Sequence, residues 1–541
     1  MDLAATGGRH RAGPDADRGD LMFRRRKDKV ELARRAGDRL HRFHGGLRLH
    51  HYKKISCEIP VQRAALPPRL YVPLLQHTGR EAEATVSEGQ HVLKGEQIGC
   101  FKQLGSGCVH APTSGTVSAI VRHPISHPAG EDGRCIVIRP DGLDQWLEQE
   151  PLADWQSLDP AALLQCIRNS GIVGLGGAMF PTAYKVQEAS ERGIHTLVLN
   201  GSECEPYISC DEMLMREQPD SIVLGARILQ KAVGAERTLI AIEDQMGAVH
   251  QALQAAIDRS GTASISIVKV TTIYPEGGEK QLIQVLTGLE VPSGGRPADL
   301  GLLCQNVATA TAVARAVTEG KPLVERIVTV TGSGVRSPRN LLAAIGTPVS
   351  NLVDQCGGYL PGAARLVLGG PMMGYPLASD SNPVTKAANC ILVLNEDEIR
   401  RPQAEMPCIR CGECARVCPA LLLPQQLNRS IRAQKWEETQ AGGLRDCIEC
   451  GCCDFVCPSH IPLVEWFRFG KSRLQELAAE KQRADRARQR FEARESRLAR
   501  NSLARKQRIA EKKRALRADA GQQEKIAESI ERARKRREKT E

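Results

Sequence analysis

At 541 residues the chain exceeds what one hydrophobic core supports, since about 150 residues per domain is usual, and its 19 cysteines belong to a chain too large for a small secreted disulfide scaffold, which points to a reducing compartment. The net charge of +11 gathers at the ends, where residues 471–541 carry 24 Lys/Arg against 12 Asp/Glu and residues 1–50 carry 13 against 7. Aromatics at 4% are too sparse for base stacking and no groove-reading motif accompanies the basic ends, so a nucleic-acid partner is not expected.

Residues 1–42 are rich in Gly, Asp and Arg without apolar periodicity and are expected to form a disordered basic arm, or to precede a later start near Met22. No apolar core of a signal peptide follows Arg24-Arg25-Arg26-Lys27, and no stretch reaches the roughly 18 apolar residues of a spanning helix. Over 43–150, short alternating apolar runs broken by Gly and Pro predict a small β domain. The layout resembles the lipoyl/biotinyl-like barrel-sandwich fold. Its tip reads Ala111-Pro112-Thr113-Ser114-Gly115 and offers no Lys for a prosthetic group.

Residues 151–320 alternate strand patterns, such as Thr196–Asn200, Thr238–Ile242 and Ile265–Val270, with helical periods over Ser221–Val233 and Gly247–Ile257. This predicts a Rossmann-like α/β unit around a buried sheet. Four of its loops are Gly-rich or polar. In Gly171–Thr182, three glycines without Cβ (Gly174, Gly176 and Gly177) let backbone N–H groups approach a phosphate or an isoalloxazine edge, and Lys185 follows as a phosphate counter-charge. Asn200-Gly201-Ser202-Glu203-Cys204-Glu205-Pro206 ends a buried strand, where open α/β sheets bind ligands. Tyr274–Lys280 and Gln305–Thr309 add further polar groups, and together the loops suggest one crevice. Residues 321–395 read as a β-grasp piece, with a strand at Ile327–Thr331 and a helix over Leu341–Leu352 around the Gly346-Thr347-Pro348 break.

Within 396–470, two runs spell C-x2-C-x2-C-x3-C-P: Cys408, Cys411, Cys414 and Cys418, then Cys447, Cys450, Cys453 and Cys457, each cysteine 39 residues from its counterpart. Three closely spaced thiolates hold three corners of one [4Fe–4S] cube and the fourth, before Pro, reaches the other. By that crossover the first cube takes Cys408, Cys411, Cys414 and Cys457, and the second Cys447, Cys450, Cys453 and Cys418. Zinc also accepts four thiolates, but two triply spaced runs with Cys-Pro endings are an iron–sulfur signature. Cys452 stands opposite Glu413 in the duplication and is not expected to be a ligand. Residues 471–541, with no Pro and apolar residues only at irregular intervals such as Leu498, Leu503, Ile509 and Leu516, predict a charged helical tail, with anionic lipid or a partner subunit as candidate contacts.

The order and spacing of the Gly174–Thr182, Asn200–Pro206 and Tyr274–Lys280 loops and of Asn306-Val307 resemble the flavin- and NADH-binding subunit of respiratory complex I. The span from His44-Gly45-Gly46 to Pro458, with Gly369–Gly374 and Pro383-Val384-Thr385-Lys386 inside it, resembles the RnfC family, the C subunits of Rnf ion-translocating electron-transport complexes, whose β-grasp region is SLBB-like. Two positions depart from the complex I pattern: Leu175 stands where Arg is expected, and Gly278 where the first of two acidic residues is expected. The resemblance implies FMN held by Gly174, Gly176, Gly177, Lys185, Asn200, Glu203, Glu205 and Asn306, with Glu279, Phe180 and Tyr184 facing NADH. It further implies a peripheral subunit on the cytoplasmic face of the cell inner membrane, partnered by integral membrane and flavin-bearing subunits and by ferredoxin or a similar carrier. NADH gives two electrons together and a cube takes one, so a flavin must stand between them. Two rival readings remain: a non-catalytic iron–sulfur relay or scaffold, and a soluble NAD-linked iron–sulfur flavoprotein dehydrogenase.

Overall fold

The computed structural model describes residues 28–76, 79, 81–100, 107–127, 130–177, 179–399, 403–518 and 520–539. The chain divides into two compact units, Met1–Phe467 and Arg468–Glu541. Of the expected disordered arm, residues 1–27 lie outside the described residues. Residues 28–42 depart from that expectation, because helical residues 28–33 and the turns after them bury Ala33 and Ala36 in the core around Leu239 and Leu282. The Gly37 and His41 amides bond the carbonyls of Leu286 and Val285. Two small side chains placed three apart were enough to anchor a segment that composition marks as polar.

A short strand, β1 (Gln62–Arg63), precedes a β-sandwich of two antiparallel sheets. Its strands are β2 (Leu70–Pro73), β3 (Glu83–Ala84), β4 (His91–Val92), β5 (Gln97–Cys100), β6 (Val109–His110), β7 (Gly115–Pro124) and β8 (Asp132–Pro140), in the orders β2-β8-β7-β4 and β3-β5-β6. Alternate residues point inward, and Leu70, Val72, Ile98, Val117, Ile136 and Ile138 meet between the sheets.

The α/β unit holds a parallel sheet in the order β11 (Ile265–Val270), β10 (Arg237–Glu243), β9 (Thr196–Gly201), β12 (Leu302–Asn306). Its strands are apolar on both faces because helices cover both. Leu197 and Leu199 pack with Ile222, Ile228 and Val313 of the helices Pro219–Val233 and Val307–Glu319, while Val198 packs with Leu282 and Ile283 of the helix Glu279–Thr287. The chain adds β10 and β11 on one side of β9 and returns to place β12 on the other. That reversal leaves a crevice beyond the carboxyl ends of β9 and β12.

A mixed sheet, β1-β14-β13-β17-β15-β16, follows, with β13 (Glu325–Thr331), β14 (Arg339–Ala344), β15 (Ala363–Leu368), β16 (Tyr375–Pro376) and β17 (Cys390–Asn395) around a core of Val328, Val330, Leu352 and Ile391. The helix expected over Leu341–Leu352 is corrected here: Leu341–Ala344 belong to β14, paired with β13, and the helix spans Val349–Gln355, after the Gly346-Thr347-Pro348 break. In the cysteine-rich region the duplication is visible in the backbone: the short helices Glu413–Arg416 and Cys452–Phe455 correspond, each after a left-handed glycine, Gly412 and Gly451. The tail is helical over Leu463–Ala518 and Ala520–Arg537, and every described residue from 478 onward is exposed. Pairs one turn apart, Arg488–Glu492, Arg532–Glu528 and Lys535–Glu531, line it and support a helix that buries almost nothing.

Candidate functional site: a crevice beside two cysteine clusters

The crevice is built from strand ends. Asn200 and Asn306 are register partners on β9 and β12, so the sheet itself brings two loops together that lie over a hundred residues apart in sequence. The Asn200 side chain donates to the Gly277 carbonyl at 2.8 Å and accepts from the Ser202 amide at 3.0 Å, fixing the third loop to the second. Asn306 caps its helix by accepting from the Ala308 amide at 2.8 Å and donates to Asp211 at 2.6 Å. The Gly-rich loop is closed by the Gly174 amide on the Phe180 carbonyl and the Thr182 amide on the Ile172 carbonyl. A Cβ on Gly176 would stand 3.3 Å from Asn306, so the loop lies directly on that strand end. Gly177 has φ +110°, a conformation that favours glycine, and among the described residues a Cβ there would meet nothing within 4 Å. This open backbone fits the edge of a planar ring.

Lys185 donates to Glu279 at 2.5 Å and to the Cys304 carbonyl at 2.7 Å, which holds its cation at the crevice. Phe180 and Tyr184 meet edge to face at 5.6 Å, Tyr184 is exposed, and the Arg296 guanidinium lies 6.0 Å from the Phe180 ring centre. The two remaining sequence candidates are engaged elsewhere. The buried Glu203 carboxylate accepts from the amides of Asp211 (3.0 Å) and Glu212 (3.3 Å) and lies 3.8 Å from the buried Lys53 ammonium; burial pushes its carboxyl up to about 7. Glu205 accepts from the amides of Met372 (2.7 Å) and Met373 (3.0 Å), tying the second loop to the Gly369–Gly374 turn, and burial raises its carboxyl as well.

Sequence reasoning missed Arg326. This buried guanidinium on β13 bonds the Lys386 carbonyl, reaches the Leu175 carbonyl at 3.5 Å and faces Asp211. A cation therefore does lie beneath the Gly-rich loop, delivered from the neighbouring sheet rather than from position 175. Only pairing at long range could have disclosed it. Lys53 and Asp211, the other charged groups of the floor, sat in segments without a motif.

The structure brings cysteines of both runs together. Cys418 from the first run and Cys447, Cys450 and Cys453 from the second line one pocket, together with Leu422, Val464 and Phe467. Cys452 also lines it and packs with Cys204, Tyr274 and Cys450. The Met406 amide bonds the Ser459 carbonyl at 2.9 Å and the Ser459 hydroxyl bonds the Pro407 carbonyl at 3.0 Å, which seats the Cys457 turn beside the start of the first run. Tetrahedral zinc at a bond length of about 2.3 Å needs thiolates about 3.8 Å apart. Among the described residues, no three of these sulfurs lie within 4.8 Å of one another; the one group of three metal-binding side chains that does is Glu203, Cys210 and Asp211. Tyr274 joins the two sites: its loop forms the crevice edge, and its hydroxyl donates to the Cys450 carbonyl at 2.6 Å.

Four family models match the chain in order: the RnfC barrel sandwich hybrid domain over residues 41–143, the Nuo51 FMN-binding domain over 167–315, the SLBB domain over 327–376 and the 4Fe-4S dicluster domain over 406–461. A protein of Pseudomonas aeruginosa, named as the C subunit of an ion-translocating oxidoreductase complex, is 48% identical over 462 residues, covering 85% of this chain and 59% of its own. Proteins of the same name are 45% identical in Yersinia pestis, covering 87% of this chain and 75% of theirs, and 42% identical in Haemophilus influenzae, covering 87% and 70%. The chain thus spans about three-fifths of the length of the Pseudomonas relative. Among solved structures, a chain of an NAD+-reducing [NiFe]-hydrogenase aligns over 57% of this chain and 62% of its own, at 20% identity and a TM-score of 0.42.

Proposed function

The chain belongs to the family of C subunits of ion-translocating oxidoreductase complexes, and from that premise we propose that it is the electron-input subunit of such a complex, passing electrons between NADH and ferredoxin-type carriers. The observation that carries this reading is the Tyr274 contact, through which one loop borders both the flavin crevice and the second cysteine cluster. A bound FMN would take two electrons from NADH and release them singly to [4Fe–4S] clusters. The roles of this chain's residues follow from their placement. Gly174, Gly176 and Gly177 give the ring its close approach, Lys185 supplies a held positive charge, and Asn200 and Asn306 fix the loops around it. Glu279, Phe180 and Tyr184 line the NADH side. Glu203 and Glu205 act from behind, one ordering the helix Cys210–Glu217 and the other the Gly369–Gly374 turn.

In this reading Cys447, Cys450, Cys453 and Cys418 hold the inner cluster, next to the crevice, and Cys408, Cys411, Cys414 and Cys457 the outer one. Cys408 and Cys411 are exposed, which suits an exit point. Among the described residues no helix is long and apolar enough to cross a membrane, so ion movement would belong to integral membrane partners. The chain would sit peripherally on the cytoplasmic side of the inner membrane. Anaerobically prepared protein should hold about eight iron and eight sulfide per chain, retain FMN and bleach in the visible on adding NADH. Zinc in place of iron, or a Cys450→Ala variant whose outer cluster still bleaches at the wild-type rate, would refute the route.

A further inference from the structure

The two cysteine halves have the same backbone and different surroundings. Positions 39 apart share their left-handed residues: Arg410 and Glu449 at φ +60° and +58°, Gly412 and Gly451 at +80° and +76°, Leu421 and His460 at +54° and +50°. Around the second half, Ile448, Cys450 and Cys452 pack with Leu47, Leu49, Tyr274 and Met372. A Cβ on Gly451 would meet the Met372 carbonyl at 2.8 Å, and Tyr274 bonds the Cys450 carbonyl. The matching face of the first half is bare. Among the described residues nothing lies within 4 Å of a Cβ on Gly412, Cys411 is exposed, and Ile409 and Met406 are 67% and 50% exposed.

An exposed Ile beside an exposed metal-ligand candidate is costly to leave in water, because apolar area is stabilised by about 25 cal/mol per Å² when covered. The second half shows what covers it: an apolar rim, a backbone carbonyl against the glycine, and a hydroxyl on the ligand's carbonyl. Charge separates the two faces. Where the covered half carries Glu449, the bare half carries the exposed Arg410, while Arg416 is neutralised by Glu413 at 2.7 Å.

We propose that the bare face formed by Met406, Ile409, Arg410, Cys411 and Gly412 is the docking surface for a second iron–sulfur protein, one with an apolar patch over its own cluster and a carboxylate at the rim facing Arg410. The proposal rests on the two-cluster reading and adds to it which face the electron leaves by and what receives it. With both clusters in place, a single electron would cross this face, with no proton or bond changing hands. A one-electron acceptor is required, and an iron–sulfur centre is one.

The test uses membrane vesicles that carry the remaining subunits of the complex, stripped of this chain, and the full chain rebound to them. Met406→Glu, outside the cysteine run, and Ile409→Glu should each weaken rebinding about tenfold or more, as loss of a central apolar anchor does. Arg410→Glu should weaken it further at low salt than at high salt. In the isolated variants iron content and NADH-driven bleaching of both clusters should match wild type, while reduction of the vesicle iron–sulfur signals in electron paramagnetic resonance slows in step with rebinding. Unchanged rebinding and delivery would overturn the proposal. So would an isolated wild-type chain that dimerises through this face and is split by Met406→Glu, because the occupant would then be a second copy. A wild-type chain that fails to bleach at all would count against the two-cluster reading instead, which keeps the two failures apart.

Discussion

Glu276→Gln separates an electrostatic cost built into the crevice from everything around it. Glu276 lies in the Tyr274–Lys280 loop, is 2% exposed, and its Oε2 has no hydrogen-bond partner among the described residues. Burial first, then the neighbouring carboxylates of Glu243 and Asp244, push its carboxyl from 4.5 up to about 8. Glu243 is paired with the buried Lys53 ammonium at 3.9 Å, a cation it shares with Glu203. Below pH 4.5 the carboxyl is protonated in both folded and unfolded chains and costs nothing. Between 4.5 and about 8 the unfolded chain releases its proton and the folded chain keeps it, so stability falls as pH rises; above about 8 the whole cost is present. At about 1.36 kcal/mol per pH unit that window corresponds to about 5 kcal/mol as a ceiling, and to roughly half of it once surrounding dipoles relax around the charge. Glutamine has no proton to lose, so the variant should gain about 2 to 5 kcal/mol over wild type at pH 9 and almost nothing at pH 5. Anaerobic urea unfolding followed by circular dichroism at pH 5, 7 and 9 reads this directly. The wild type minus variant difference cancels other titrations, such as that of buried Lys386, which burial lowers to about 8. A difference that does not change with pH would refute the reasoning.

Lys53→Met leaves the buried carboxylates of Glu203 and Glu243 without their shared cation and should cost about 3 to 5 kcal/mol of unfolding free energy, partly recovered by adding Glu203→Gln. Gly177→Ala places a Cβ in the open crevice at φ +110°, with about 1–2 kcal/mol of backbone strain; the isolated protein should lose FMN on gel filtration and keep its full iron content. Cys452→Ser should leave iron and sulfide per chain unchanged, whereas Cys453→Ala should remove about four irons. Deleting residues 471–541 should abolish binding to anionic vesicles at low salt if the 24 basic residues of the tail contact lipid, and equal binding with and without the tail would exclude that role.

The sequence made legible whatever lies close together in the chain. Cysteine spacing announced the cluster set, since C-x2-C-x2-C-x3-C-P is itself the geometry of a cube's corner, and the four loops of the crevice announced themselves by glycines and by polar groups at strand ends. What it hid was the partnering of groups far apart. Glu203 and Glu205 looked like pocket residues because their segment ends β9, yet both carboxylates turn to a helix start and to a neighbouring turn. Arg326 carries no motif, and its burial beneath Leu175 depends on how β13 docks against the α/β unit. Residues 28–37 showed the opposite error: composition pointed to a disordered arm, while Ala33, Ala36 and Gly37 supply a face small enough to fit against Leu239 and Val268.

A duplicated module by itself has no direction, because its two halves would present two equivalent faces. Asymmetry enters through what the rest of the chain lays on one half only. Leu47 and Leu49 from the segment before the sandwich, Tyr274 from the crevice loop and Met372 from the turn held by Glu205 all converge on Ile448 and Cys450. Three separate segments thus shield one cluster from water, and the same positions of the other half, Ile409 and Cys411, remain exposed. The contrast extends to charge, with Glu449 inside and Arg410 outside. The asymmetry of packing thus distinguishes two cysteine sets that the symmetric spacing makes alike.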